Sequence, residues 1–255
     1  MLHETINEYC NTFKLSGILE HYQYQADIAV NEKISYTQYL CNLLEYESNQ
    51  RIIRAKETML KFASFPKIKT IDTFDYKSSS VDKTLVNELL TMRFIDEHKN
   101  ILLFGPSGVG KTHLALALGY SATQSRVKTK FITTSDLMLQ LESAKYTNNL
   151  DNYLKRVINA TKLLIIDEFG YVKLNEMQSN LFFQIVNKKY EQGSIIITSN
   201  LSFTKWKEIL NNDEALTTAI LDRLIHHSHI VNISGESYRL KEKRKAGLLD
   251  LAMKN

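Results

Sequence analysis

Residues 101–122 read ILLFGPSGVGKTHLALALGYSA. Four apolar residues, Ile101 to Phe104, make a strand-like run, and Thr112 to Ala122 make a helix-like one. Between them Gly105 to Thr112 spell G-x-x-x-x-G-K-T, the spacing of a phosphate-binding loop. A phosphate must be met by several backbone N–H groups at once, so the loop has to wrap tightly. Gly105, Gly108 and Gly110 allow conformations and close approaches that a Cβ would block. The N-terminus of the following helix adds its positive dipole end. Lys111 is placed to reach the β- and γ-phosphates of a nucleotide, and the Thr112 hydroxyl to hold Mg²⁺. Pro106, Ser107, Val109 and His113 complete the stretch expected around the phosphates. With only 9 glycines in 255 residues, a chance glycine turn at this spacing is the weaker reading.

Working outward, strand-like and helix-like segments alternate on the C-terminal side. Strands are expected at Ile101–Phe104, Lys130–Thr133, Lys162–Asp167, Ser194–Ser199 and Ile230–Ile233. Helices are expected near Thr112–Ala122, Ser135–Ala144, Leu150–Asn159, Gln178–Tyr190, Thr204–Leu210 and Glu214–Leu224, with one before them from Asp82 to about Glu97. Such alternation predicts an α/β domain with a parallel sheet covered on both faces.

Residues 1–65 read as a small all-helical domain. Ile6, Tyr9 and Phe13, then Leu15, Ile18, Leu19 and Tyr22, recur at helical spacing. Ser35 with Gln38 reads as a capping box, and Phe65-Pro66 ends the long helix. Residues 66–81, with the run Ser78-Ser79-Ser80, read as a linker, and residues 82–255 as the nucleotide-binding domain.

Charge is unevenly spread. Residues 1–50 carry a net −5, residues 51–70 a net +5, and the tail from Tyr238 a net +4. The basic stretch, including Arg51, Arg54, Lys56 and Lys61, fits contacts to a nucleic-acid backbone, and a solvated helix face would look the same. No apolar run approaches a membrane span, Met1 to Cys10 lack the layout of a secretory signal, and Cys10 and Cys41 form no metal or redox pair. These observations predict a soluble cytoplasmic protein with reduced thiols.

The third strand, LLIIDE, delivers Asp167 and Glu168 at its C-terminal edge, where active sites of open α/β sheets sit. Asp167 is expected to orient Mg²⁺, and Glu168 to take a proton from attacking water as general base. The fourth strand ends in Thr198, Ser199 and Asn200. Asn200 suits a hydrogen bond to that water or to the γ-phosphate, with Thr198 and Ser199 as weaker choices; a turn asparagine reads the same way. Arg223, in AILDRLIHH, suits either a developing phosphoryl charge or a surface ion pair with Asp222. His226, His227 and His229 cross a helix-to-strand junction, and no cysteine or carboxylate completes a metal set. The single tryptophan, Trp206, reads as packing.

Taken together, the phosphate loop, the DE pair, the strand ending in asparagine and the helical arginine resemble the AAA+ ATPases. More closely, GPSGVGKTHLALALGY, LLIIDEFGY, GSIIITSN and AILDRLIHHSHIVNISGESYR are similar to the IstB-like transposition helper ATPases, relatives of the helicase loader DnaC. The resemblance implies ATP and Mg²⁺ as ligands and a sheet order of 5-1-4-3-2. It makes Asn200 the sensor-1 residue and Arg223 an arginine finger acting on a neighbouring subunit's nucleotide. ATP sites between subunits of a homo-oligomer, duplex DNA and a cognate transposase follow as expected partners. A helicase loader, or an ATP-gated DNA scaffold with little turnover, is the alternative. Only 22 residues follow Ile233, so a reduced C-terminal lid is expected, with Arg239 as its only sensor-2 candidate.

Overall fold

In the computed structural model of the chain, which describes residues 1–238 and 241, three helices come first: α1 (Leu2–Thr12), α2 (Ser16–Asn31) and α3 (Tyr36–Ala63). The chain divides into two compact units, Met1–Thr58 and Met59–Asn255.

In the first unit Cys10, Tyr22 and Leu43 are buried. Glu47, also buried, accepts from the backbone N–H of Gly17 (2.6 Å) and of Ile18 (3.1 Å) at the start of α2, and from Arg51 Nε (2.7 Å). Burial opposes ionisation of Glu47, but these donors together hold its carboxyl below the usual range. Arg51 also donates to Lys14 O (3.1 Å), and Arg54 donates to Ser16 Oγ. At the start of α3 the Gln38 N–H meets Ser35 Oγ (3.2 Å). The expected capping box is only half formed, because the Gln38 side chain turns along the helix to Asn42 Oδ1 (2.8 Å).

The second unit is built on five parallel strands: β1 (Asn100–Phe104), β2 (Thr129–Thr133), β3 (Leu163–Phe169), β4 (Ser194–Ser199) and β5 (Ser228–Asn232). Their order is β2-β3-β4-β1-β5, the predicted arrangement read from the other edge. Ile101 pairs with Ile196 on one side and His229 on the other, which makes β1 an interior strand.

Successive side chains of a strand point to opposite faces. Leu102 and Phe104 of β1, with Leu164 and Ile166 of β3, pack into one core. Ile101 and Leu103, with Leu163 and Ile165, pack into the other. Both faces are covered, which is why the strands read as unbroken apolar runs. The first core is closed by α7 (Thr134–Tyr146), α9 (Glu176–Lys189), α10 (Trp206–Ile209) and α11 (Glu214–Ile225), with Trp206 fully buried. The second is closed by α4 (Lys83–Leu90), α5 (Arg93–Asp96) and α6 (Lys111–Gln124).

Two expected helices differ. The segment expected as one helix from Asp82 to Glu97 breaks at Met92, whose φ of 62° is left-handed. The turn sends Phe94 and Ile95 into the core, where Phe94 O accepts from Ser194 Oγ (3.1 Å). No glycine or proline marks the break; it comes with burial of Met92, Phe94 and Ile95, and Thr91 Oγ1 donates to Glu88 O (2.7 Å) beside it. The segment from Leu150 is α-helical only to Tyr153 (α8) and continues as a π-turn over Leu154–Asn159. Among the described residues no helix is long and apolar enough to cross a membrane.

Candidate nucleotide site

The phosphate loop leaves the C-terminal end of β1 and enters α6 through Gly110. Gly110 has a φ of 101°, and a Cβ there would meet the Phe74 ring at 2.9 Å. Gly105 has a φ of 143°, and its Cβ would collide with Ile233 O, immediately after β5. These two glycines are therefore required by backbone angle and by close approach alike. Val109 is buried and anchors the loop, while Pro106 and Ser107 are exposed.

Lys111 is buried, and its Nζ donates to Gly105 O and Pro106 O, both at 2.7 Å. The ammonium thus lies within its own loop, where a phosphate would sit among the backbone N–H groups. Thr112 Oγ1 donates to Asp167 Oδ1 (2.9 Å) and Oδ2 (3.2 Å). Two hard oxygen groups from α6 and β3 therefore meet at one point, which suits Mg²⁺.

Asp167 and Glu168 occupy a break in the β3–β4 ladder. Ile166 pairs with Ile197 and Phe169 with Ser199, so two residues of β3 oppose the single Thr198. This is a β-bulge, which re-aims a side chain. Glu168 adopts a φ of 61° and stands exposed, whereas Asp167 on one side and Phe169 on the other are buried. Thr198 holds the bulge from both directions: its Oγ1 donates to Asp167 Oδ1 and accepts from the Glu168 N–H (3.0 Å). Thr134 Oγ1 donates to Asp167 O (3.0 Å). Thr198 was a weak choice for a contact to water; its place in the structure is as the clamp on the acidic pair. Thr134 carried no sequence signal, because nothing marks which α7 residue faces β3.

Asn200 follows β4 directly and is exposed, and Gly105 N–H donates to Ser199 O (3.3 Å) beside it. The ends of β4 and of β1 are thereby joined at the loop. Arg223 lies elsewhere. Its Nε donates to Asn187 Oδ1 (3.1 Å), its Nη1 to Ala219 O (2.9 Å), and its guanidinium sits 5.0 Å over the Phe183 ring. None of these contacts is to its own phosphate loop, and none is to Asp222.

Two further segments border the loop. Phe74 is buried, packs against Gly110 and meets His113 edge-on at 5.4 Å between ring centres. His113 Nε2 lies 3.1 Å from Thr70 O and 3.2 Å from Thr73 Oγ1, and burial above all pushes its pKa down. After β5, Tyr238 N–H donates to Gly108 O (3.0 Å), and Ser80 N–H donates to Ser234 O (3.0 Å). Arg239 lies outside the described residues.

A parallel sheet in this order, with a phosphate loop after an interior strand and an acidic pair at the end of β3, defines a P-loop nucleotide-binding protein of the AAA+ class. Among solved structures, the chain is similar to the DnaC helicase loader (TM-score 0.51, 24% identity, 65% of this chain and 96% of that one). It is also similar to AMPPCP-bound DnaA from Aquifex aeolicus (TM-score 0.57, 19% identity, 71% and 55%). At these identities the likeness concerns the fold alone. The profile of the family described as IstB-like ATP binding protein matches residues 9–246, and the chain belongs to that family. It is 46% identical to a protein named as ATP-binding in insertion sequence IS5376 of Geobacillus stearothermophilus, over 94% of this chain and 96% of that one. It is 42% identical to its counterpart in IS21 of Pseudomonas aeruginosa, over 92% and 89%.

Proposed function

We propose that this protein hydrolyses ATP and, while ATP is bound, assembles as a homo-oligomer on duplex DNA in the cytoplasm to assist a transposase. The observation that carries the catalytic part is the bulge that turns Glu168 out beside Asp167. The loop from Gly105 to Gly110 surrounds the phosphates with its backbone N–H groups from Ser107 onward, with Lys111 toward the β- and γ-phosphates and His113 next to the loop. Thr112 and Asp167 would hold Mg²⁺, which would neutralise phosphate charge. Water is oriented by Asn200 and gives its proton to the Glu168 carboxylate. Its oxygen attacks the terminal phosphorus as the bond to the ADP oxygen breaks, so ADP and phosphate leave.

The contacts of Arg223 on the flank of α11 leave it bound to none of its own loop, which supports a role toward a neighbouring subunit's nucleotide. The insertion-sequence names of the relatives support the transposition setting. Residues 1–65 would serve DNA, partner or self-association, joined through 66–81 to the ATPase domain. For DNA, Arg51 and Arg54 brace the N-terminal unit while Lys56 and Lys61 make no ion pair among the described residues. All four would add salt-dependent contacts to phosphate with little sequence preference.

Analytical ultracentrifugation with a short labelled duplex, with and without a slowly hydrolysed ATP analogue, tests this reading. A multi-subunit species carrying duplex only with nucleotide is expected. Lys111→Ala should lose nucleotide binding and assembly together, and Glu168→Gln should bind ATP and trap the complex. Wild-type hydrolysis by Glu168→Gln would remove the general-base assignment. Preference for single-stranded DNA and a replicative helicase would favour a helicase loader instead.

A further inference from the structure

At the edge of the sheet opposite the nucleotide loop, where the strands begin, lies a cavity of about 330 Å³. It is lined by His98, Asn159, Lys162, Lys188, Lys189 and Gln192. These residues come from the turn before β1, the π-turn and the residues after it, the end of α9 and the turn into β4. A strand of five to seven residues separates the two edges by roughly 20 Å, so the cavity is no part of the nucleotide site.

Its chemistry is one-sided. Three lysines, a histidine and two side-chain amides line it, and no acidic residue does. Among the described residues Lys162, Lys188 and Lys189 join no ion pair. The nearby Glu97 is engaged with Lys99 (2.7 Å) and Arg93 (3.4 Å).

Lys189 is 3% exposed, and its Nζ donates to Thr161 O (2.5 Å) and Thr161 Oγ1 (2.8 Å). An ammonium has three N–H donors, so one more is available. Burial first, and Lys162 second, push this ammonium down to about 8. His98 Nδ1 is buried without a hydrogen-bond partner among the described residues. Burying a cation beside another cation is costly, and an anion between them offsets that cost. The volume is at the small end for ligand sites.

We propose that this cavity is a second anion site that takes a phosphate group, supplied either by a nucleic-acid backbone or by a small phosphorylated molecule. Lys162 and Lys188 meet the phosphate at the mouth, Lys189 meets it from below, and Asn159 and Gln192 donate from the sides. The backbone form of the inference rests on the DNA-binding reading above, and the small-molecule form does not.

The test uses the full chain with the double substitution Lys162→Gln/Lys188→Gln, both at accessible positions, with Trp206 fluorescence as the check on folding. In one arm, pyrophosphate is titrated calorimetrically in a Lys111→Ala background, which weakens the nucleotide loop. One site per chain is expected, with affinity falling at least about tenfold in the double variant. In the other arm, duplex affinity is measured against salt concentration. If backbone phosphates occupy the site, the slope of log K against log salt falls by about 2.

A loss confined to the pyrophosphate arm assigns the site to small phosphorylated molecules, and a change in the salt slope assigns it to DNA. If the wild type binds duplex and neither readout moves, the inference is overturned while the DNA-binding reading stands. If the wild type binds no duplex, that reading fails and the pyrophosphate arm alone decides.

Discussion

The left-handed backbone at Glu168 gives a prediction whose sign can be worked out in advance. A non-glycine residue in this region costs roughly 1–2 kcal/mol relative to its ordinary conformations. Glu168 sits there with a φ of 61°, at the bulge where Asp167 and Glu168 face Thr198. Glycine carries no such cost, but in a regular element it is roughly 0.5–1 kcal/mol worse than alanine because it loses more freedom on folding. The two terms oppose each other here. Glu168→Gly should therefore be more stable than Glu168→Ala by about 0.5–1 kcal/mol, the reverse of the usual order. Glu168→Gln keeps the strain and should stay near the wild type.

Urea unfolding followed by Trp206, the single tryptophan and a fully buried one, reads the unit that contains the bulge. All three variants should lose ATP hydrolysis, so stability and chemistry would move independently. If Glu168→Ala is as stable as Glu168→Gly or more so, the backbone at this position is not strained and the case for a re-aimed carboxylate fails.

Thr198→Val removes the acceptor of the Glu168 N–H and a donor to Asp167, and should destabilise by about 2–3 kcal/mol while lowering hydrolysis. Thr198→Ser, which restores the hydroxyl, should recover most of both in the same unfolding and ATPase measurements. For Lys189, the folded value of about 8 lies below the ordinary 10.5, so between them the unfolded chain binds more protons. Stability then rises with pH across that window, and the penalty is fully present below pH 8. Relative to Lys189→Met, the wild type should gain up to about 3 kcal/mol between pH 7 and 10.5 in denaturant titrations, and a flat difference would contradict the burial of the ammonium.

Much of the site was legible from residue order because its chemistry is local. Eight consecutive residues make the phosphate loop, and an apolar strand ending in two acids marks its own C-terminal edge. The elements lost in the reading are those fixed by partners distant in the chain. Met92 breaks a helix where Phe94 and Ile95 enter the core and Phe94 O meets Ser194 Oγ. Residues 66–81 read as a linker on the run Ser78 to Ser80, yet Phe74 within them is buried against Gly110 and His113.

Composition, periodicity and the spacing of a few motifs were enough to establish a parallel α/β nucleotide-binding domain behind a helical segment. They act over a handful of neighbouring residues, where backbone geometry and side-chain period leave few choices. Tertiary structure alone decided that Thr198 clamps the Asp167–Glu168 bulge, that Arg223 rests on Asn187 and Phe183, and that three lysines converge with His98 on one cavity. Each of these depends on residues from elements well separated in the chain meeting around one sheet. Strand order and register bring them together, and neither is written in local spacing.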